Sequence, residues 1–199
     1  MKKILILILV FISFELYSKN PCYNSENIKS FRKETNFEYK TSEKSPLTAE
    51  DKKKFKSLSF FRENEKFAVI AKFLKNSVKD TIMIKTSKSD IRKMSRFGTF
   101  TFRINKKEYK LTAFVKADEL NPKSLFVPFT DLTTRNGKSY SAGRYLDIEY
   151  QSGKTDYCID FNLAYNPYCA YNKKYSCPLV PFENQLEIEI LAGEKKFKK

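Results

Sequence analysis

The run Thr99-Phe100-Thr101-Phe102-Arg103-Ile104-Asn105-Lys106-Lys107-Glu108-Tyr109-Lys110-Leu111-Thr112-Ala113-Phe114-Val115 reads as two strands joined by a tight turn. Phe100, Phe102 and Ile104 alternate with Thr99, Thr101 and Arg103, the period of two that puts one face of a strand in a core. Asn105-Lys106-Lys107 is the turn, and Tyr109, Leu111, Ala113 and Val115 alternate on the return. A hairpin needs further strands to bury its apolar face.

The same period recurs on both sides. Phe67 to Phe73 and Thr81 to Lys85 are strand candidates upstream. Downstream are Leu125 to Phe129, then Leu146, Ile148 and Tyr150 alternating with Tyr145, Asp147 and Glu149, then Tyr157 to Phe161. Leu186, Ile188 and Ile190 alternate with Glu187 and Glu189, the clearest half-buried pattern in the chain. The N-terminal side instead carries helix signals. Ser25 could cap a helix with Ile28 and Phe31 on one face, and Thr48 followed by Asp51 starts a short helix from about Ala49 to Lys56 with Phe55 turned inward. These elements predict a mainly β (α+β) fold: an antiparallel β-sandwich or barrel-like domain with short N-terminal helices. Strand pattern alone does not choose between sandwich and barrel.

The chain has 199 residues, which suits one principal domain. Lys2 and Lys3 precede an apolar run from Ile4 to Ile12 that Glu15 ends, the signature of a signal peptide over residues 1–18. The run is too short for a spanning helix, and no later segment is apolar enough for one. Cys22 as a lipid-bearing residue fits poorly, because Lys19-Asn20-Pro21 before it are neither small nor apolar. The expected organisation is a signal peptide at 1–18, a helical arm at 19–60, a β domain at 61–194 and a frayed basic tail at 195–199. The expected localisation is exported: periplasm, cell envelope or outside the cell.

Net charge is +15, and removing residues 1–18 takes away Lys2, Lys3 and Glu15 and leaves +14. The charges are mixed, as in Glu50-Asp51-Lys52-Lys53-Lys54, with no basic stripe interleaved with aromatics. Nucleic acid is therefore not the expected partner. An anionic membrane or envelope polymer fits better, and a plain lysine-rich solvated surface explains the charge without a partner. The chain holds no His, which removes Ser-His-Asp and Cys-His catalysis and most catalytic zinc sites. No cofactor is expected, and without His or a C-x-x-C pair no metal is expected either.

Four cysteines, Cys22, Cys158, Cys169 and Cys177, allow three complete pairings in an oxidising compartment. Cys169 with Cys177 is the best pair by spacing, with Pro167 and Pro178 just outside. Cys22 with Cys158 would then tie the N-terminal arm to the sheet. A thiol nucleophile would need a carboxylate, Tyr or Lys as its base.

The stretch from Phe126 to Glu194 is dense in Tyr, Asn and Asp. It contains Gly143-Arg144-Tyr145-Leu146-Asp147, then Asp160-Phe161-Asn162-Leu163-Ala164-Tyr165-Asn166-Pro167-Tyr168-Cys169-Ala170-Tyr171, Tyr175-Ser176-Cys177-Pro178 and Glu183-Asn184. Asp131, Tyr140, Arg144, Asp160, Asn162, Asn166 and Asn184 could converge at one end of the sheet, with Tyr165, Tyr168 and Tyr171 as walls. Arg144 would clamp a carboxylate or phosphate there through its planar fork, within a site for a small anionic or sugar-like ligand. The first functional reading is thus an exported binding or interaction module for such a ligand or an envelope partner. A second is a hydrolase with Asp131 and Asp160 as a carboxylate pair. A third is a structural envelope component, in which Asx side chains cap turns and Arg144 forms a buried ion pair with Asp131 or Asp160.

Those runs, with Ser45-Pro46-Leu47-Thr48, Phe55-x-x-Leu58, Phe60-Phe61 and Arg96-Phe97-Gly98 upstream, resemble the bacterial and archaeal domain of unknown function family 1684 over most of the chain after the signal. The resemblance implies no particular activity. Two departures mark this chain. The loop Thr133-Thr134-Arg135-Asn136-Gly137-Lys138-Ser139 is longer than the family's, with Lys138 where an acidic residue is common. Cys22 and Cys158 look particular to this chain, which weighs against the second bridge.

Overall fold

The hairpin forms as β2 (Ile91–Ile104) and β3 (Lys107–Lys116), paired from Ile104↔Lys107 back to Met94↔Lys116. Asn105 and Lys106 alone make the turn, both at positive φ (52° and 65°). Two successive left-handed residues match the twist of the flanking strands. The structure is a computed structural model that describes residues 20–198, so the expected signal peptide lies outside the described residues.

Around the hairpin stand β1 (Ala68–Lys85), β4 (Ser124–Phe129), β5 (Arg144–Glu149) and β6 (Asp156–Asp160). The order is β5-β4-β3-β2-β1-β6, with antiparallel neighbours throughout. The sheet curls into a nearly closed barrel. Its interior takes alternate residues from every strand, among them Phe73, Phe100, Leu111, Val127, Leu146 and Ile159. The two strands expected at Phe67–Phe73 and Thr81–Lys85 are one 18-residue strand with a register shift between Lys75 and Asp80. No Gly or Pro interrupts that polar run, so nothing turns the chain. Gly98 sits opposite, where a Cβ would lie 2.4 Å from the Phe73 ring and 2.6 Å from the Leu74 carbonyl.

Helix α1 (Ser25–Thr41) lies by the seam between the two end strands. Asn24 caps it by accepting from the Asn27 N–H, while the Ser25 hydroxyl donates to Glu63. Helix α2 (Ala49–Lys54) is capped by Thr48, which accepts from the Asp51 N–H at 3.0 Å. Tyr39, Leu47, Phe55 and Leu58 form a second small core with Tyr171.

Three expectations need correction. The disulfide is Cys22–Cys158, tying the arm to β6, and Cys169 and Cys177 are free thiols. Spacing along the chain favoured the short loop, but β6 brings two cysteines 136 residues apart to a Cα separation of 5.0 Å. Leu186–Ile190 keeps its alternating burial yet forms no strand. Side chains claim its backbone: the Ile190 N–H donates to Asp131 Oδ2 at 2.7 Å and the Ile190 carbonyl accepts from Arg144 at 3.0 Å. The tail is docked rather than frayed. The Lys195 N–H donates to the Ser59 carbonyl at 2.8 Å, and Phe197 packs edge-on to Tyr171 at 5.0 Å.

Candidate functional site

The first residue of β5, Arg144, is fully buried. Its guanidinium donates to Asp131 Oδ1 at 3.2 Å, Thr133 Oγ1 at 3.3 Å and the carbonyls of Ile190 and Ala192. It also stacks near Phe129, 5.1 Å from the ring centre. Burial lowers the Arg144 pKa, and Asp131 opposes that. Asp131 is also the N-cap of α3 (Leu132–Arg135), accepting from the Thr133 N–H and the hydroxyls of Thr133 and Thr134. With the Ile190 N–H and Arg144, its two oxygens serve five donor groups.

Behind this pair lies Glu194, also buried. Its carboxylate accepts from the Asn166 N–H at 3.0 Å and from the Tyr171 hydroxyl. Burial raises its pKa to about 7, against those hydrogen bonds and Arg144. Gly193 makes this approach possible at φ 74°, where a Cβ would sit 2.6 Å from the Ala164 carbonyl.

Of the residues expected to converge, Asp131, Arg144, Asn166 and Tyr171 therefore meet through shared partners in one buried cluster. Asn184 is buried elsewhere, bonded to both backbone groups of Thr112 and to the Pro128 carbonyl. Asp160 and Asn162 bond each other, and Asn162 brackets Asn64. Desolvation raises the Asp160 pKa. Among the described residues no hydrogen bond or ion pair joins Asp160 to Asp131. Tyr140 faces Cys169, its Oη 3.7 Å from the sulfur.

Tyr165 and Tyr168 stand elsewhere, in a groove of about 910 Å³ between α1 and the outer face of the barrel. Its floor is Phe126 and Tyr145, edge-on at 4.7 Å. Tyr165 follows at 5.9 Å from Tyr145, and Tyr168 meets Tyr175 at 5.2 Å. Tyr39 and Thr35 of α1 form the facing wall. Asp147 reaches the groove from β5 and accepts from the Tyr165 hydroxyl. It is open to solvent, yet the walls partly desolvate it and raise its pKa, opposed by that hydrogen bond. Desolvation also raises the Tyr145 and Tyr165 phenols, so both stay protonated donors at neutral pH.

The sequence reading missed Asp147, Tyr145 and Glu194 as site residues. Asp147 alternates outward between Leu146 and Ile148, which marks a solvent face equally well. Only the packing of α1 turns that face into a wall. Among the described residues no group of three or more Cys, Asp or Glu is disposed to hold a metal ion.

A nearly closed antiparallel barrel with short helices, an apolar interior, a buried Arg144–Asp131 cluster and an external tyrosine groove defines the class. The chain belongs to the family described as Protein of unknown function (DUF1684), whose model matches residues 53–195. The solution NMR structure of an uncharacterized protein of Haloarcula marismortui is similar, with 31% identity and a TM-score of 0.67. That match covers 85% of this chain and 92% of the other. No curated protein matches the chain.

Proposed function

We propose that the protein is an exported binding module whose groove between α1 and the barrel takes a sugar-like, hydroxyl-rich ligand. The observation that carries this reading is the Tyr165–Asp147 pair, a donor beside a solvent-open carboxylate, set among the rings of Tyr145, Tyr168 and Tyr175. Aromatic faces suit the C–H faces of a sugar, and a few placed polar groups fix its hydroxyls. An anionic ligand has less support. Glu38, Glu119 and Asp147 outnumber Lys116 and Lys123 along the groove, and the Arg144 guanidinium is sealed inside. Export rests on the signal-like residues 1–18 and agrees with a disulfide-bearing chain. No helix among the described residues is long and apolar enough to cross a membrane.

The test is a titration with soluble N-acetylglucosamine and glucose oligomers, read by tyrosine emission and NMR. The chain has 12 Tyr and no Trp, so tyrosine emission is not masked. Saturable binding that Asp147→Asn weakens by about tenfold is the expected result, the size of one charge-assisted hydrogen bond. Absence of saturable binding to both oligomer classes, or binding that Asp147→Asn and Tyr165→Phe leave unchanged, overturns it.

A further inference from the structure

The two free thiols form an asymmetric pair outside the groove's polar centre. Cys169 lies on a single 3-10 turn, Tyr168–Ala170, and is partly exposed beside a cleft of about 450 Å³ that Ser87, Tyr140 and Tyr175 also line. Cys177 is buried. Its segment is fixed to the end of β1: the Ser87 N–H donates to the Cys177 carbonyl at 2.8 Å, and the Leu179 N–H to the Lys85 carbonyl at 2.8 Å. The Cys177 N–H donates to Ser87 Oγ at 3.1 Å. The backbone N–H of Cys169 donates to Cys177 Sγ at 3.1 Å, so the second sulfur waits directly behind the first residue. Tyr140 Oη completes the setting, 3.7 Å from Cys169 Sγ.

That geometry differs from a pair of inert buried thiols. One sulfur is reachable from solvent, and the other is held where it can attack the first. Their acidities diverge in the same sense. Hydrogen bonding with Cys177 pulls Cys169 down to about 6, against burial, while facing Cys169 raises Cys177. A thiol that is ionised near neutral pH is the better nucleophile.

We propose that Cys169 and Cys177 are a redox dithiol that exchanges with disulfides of small thiols or proteins, with Cys169 attacking and Cys177 resolving. Cys169 first loses its proton to solvent, and its thiolate bonds to one sulfur of the partner disulfide. The partner's other sulfur leaves as a thiolate and takes up a proton. Cys177 then gives up its proton and attacks Cys169 Sγ, breaking the mixed disulfide and releasing the partner's remaining sulfur as a second thiol. The pair is oxidised by two electrons to Cys169–Cys177, and the partner disulfide is reduced to two thiols. Tyr140 steadies the Cys169 sulfur by its hydrogen bond. This activity does not rest on the groove's ligand. The separate Cys22–Cys158 bridge takes no part.

The experiment exposes the native, full chain with both thiols reduced to glutathione disulfide, and follows intact mass and alkylation. Wild type is expected to pass through a transient glutathione adduct to an internal disulfide that dithiothreitol reopens without unfolding. Cys177→Ser is expected to stop at a stable adduct on Cys169, and Cys169→Ser to give none. Three results overturn the proposal: no adduct in Cys177→Ser, equal adduct formation in Cys169→Ser, or a wild-type internal disulfide that opens only after denaturation. The last would make the pair a fixed staple. Circular dichroism of both variants confirms that each outcome is read on folded protein.

Discussion

Replacing Arg144 with Met tests whether the polar cluster holds the barrel end together. Met nearly preserves volume, so little cavity contributes to the result. The change removes donors to Asp131, Thr133, Ile190 and Ala192 at once. It also leaves the fully buried Asp131 without a cation. Removing one partner of a buried ion pair costs about 3–5 kcal/mol, chiefly the penalty of the stranded charge. Against a total stability of about 5–15 kcal/mol, that is about a fifth of the whole or more. Urea unfolding followed by tyrosine emission and far-ultraviolet circular dichroism gives the difference from the shift in midpoint at unchanged slope. A fall in Tm of about 10 °C should accompany it for a chain of this size. A double-mutant cycle with Asp131→Asn then isolates the pair, with an expected coupling of about 1–3 kcal/mol. Destabilisation below about 1 kcal/mol, the range of surface changes, would refute the staple.

Stability should fall as pH rises between about 4.5 and 7, because folded Glu194 keeps a proton there that the unfolded chain releases. Below that window the group is protonated in both states; above it the cost is complete, at about 3 kcal/mol, and the difference between wild type and Glu194→Gln isolates this slope in denaturant melts at several pH values. The double variant Cys22→Ser/Cys158→Ser opens a loop with a sequence separation of 136 and should lose up to about 5 kcal/mol, measured by thermal melts with and without reductant. Lys106→Gly relieves a left-handed lysine and should gain about 0.5–1 kcal/mol after glycine's own entropy cost; unchanged stability would mean the turn carries no strain. Gly193→Ala should cost more than about 2 kcal/mol, since its Cβ would collide with the Ala164 and Phe161 carbonyls, and a variant of native stability would place that backbone elsewhere.

Much of the fold was legible because period-two burial is local. Phe100, Phe102, Ile104 and Leu111 announce their strands with no knowledge of their partners, and the barrel's interior is made of such positions. Thr48 and Asp51 announce α2 in the same way. What was not legible depends on long-range placement. The alternation of Leu186, Ile188 and Ile190 is real in burial, but whether a strand forms depends on what its backbone bonds to, and here side chains of Asp131 and Arg144 intercept it. Cysteine pairing likewise follows from β6 arriving beside the arm, which spacing does not encode. The candidate site was legible in composition but not in position. Tyr, Asn and Asp are concentrated where both the buried cluster and the groove draw their residues, and sequence does not say which side chains point in.

The two groups are mechanically joined. Glu194 accepts from the Asn166 N–H at one end of a short segment and from the Tyr171 hydroxyl at the other. Tyr168 and Cys169 lie between those anchors, and Tyr165 immediately precedes the first. Asn166 adds a second tie through its amide to the Lys195 carbonyl at 2.8 Å. The interior carboxylate thus fixes the ends of the segment that presents the groove's aromatic wall and the exposed thiol. A ligand meeting Tyr165 and Asp147 would encounter rings already held in place, so little conformational entropy would be lost on binding. Buried polar groups of this kind are costly when unpaired, and here most of them are bonded to backbone, at Thr112, Asn166 and the stretch from Ile190 to Lys195. The Asn, Asp and Arg residues of the C-terminal half thus set a buried frame, and Tyr165, Tyr168 and Cys169, fastened to it, line the groove and the neighbouring cleft.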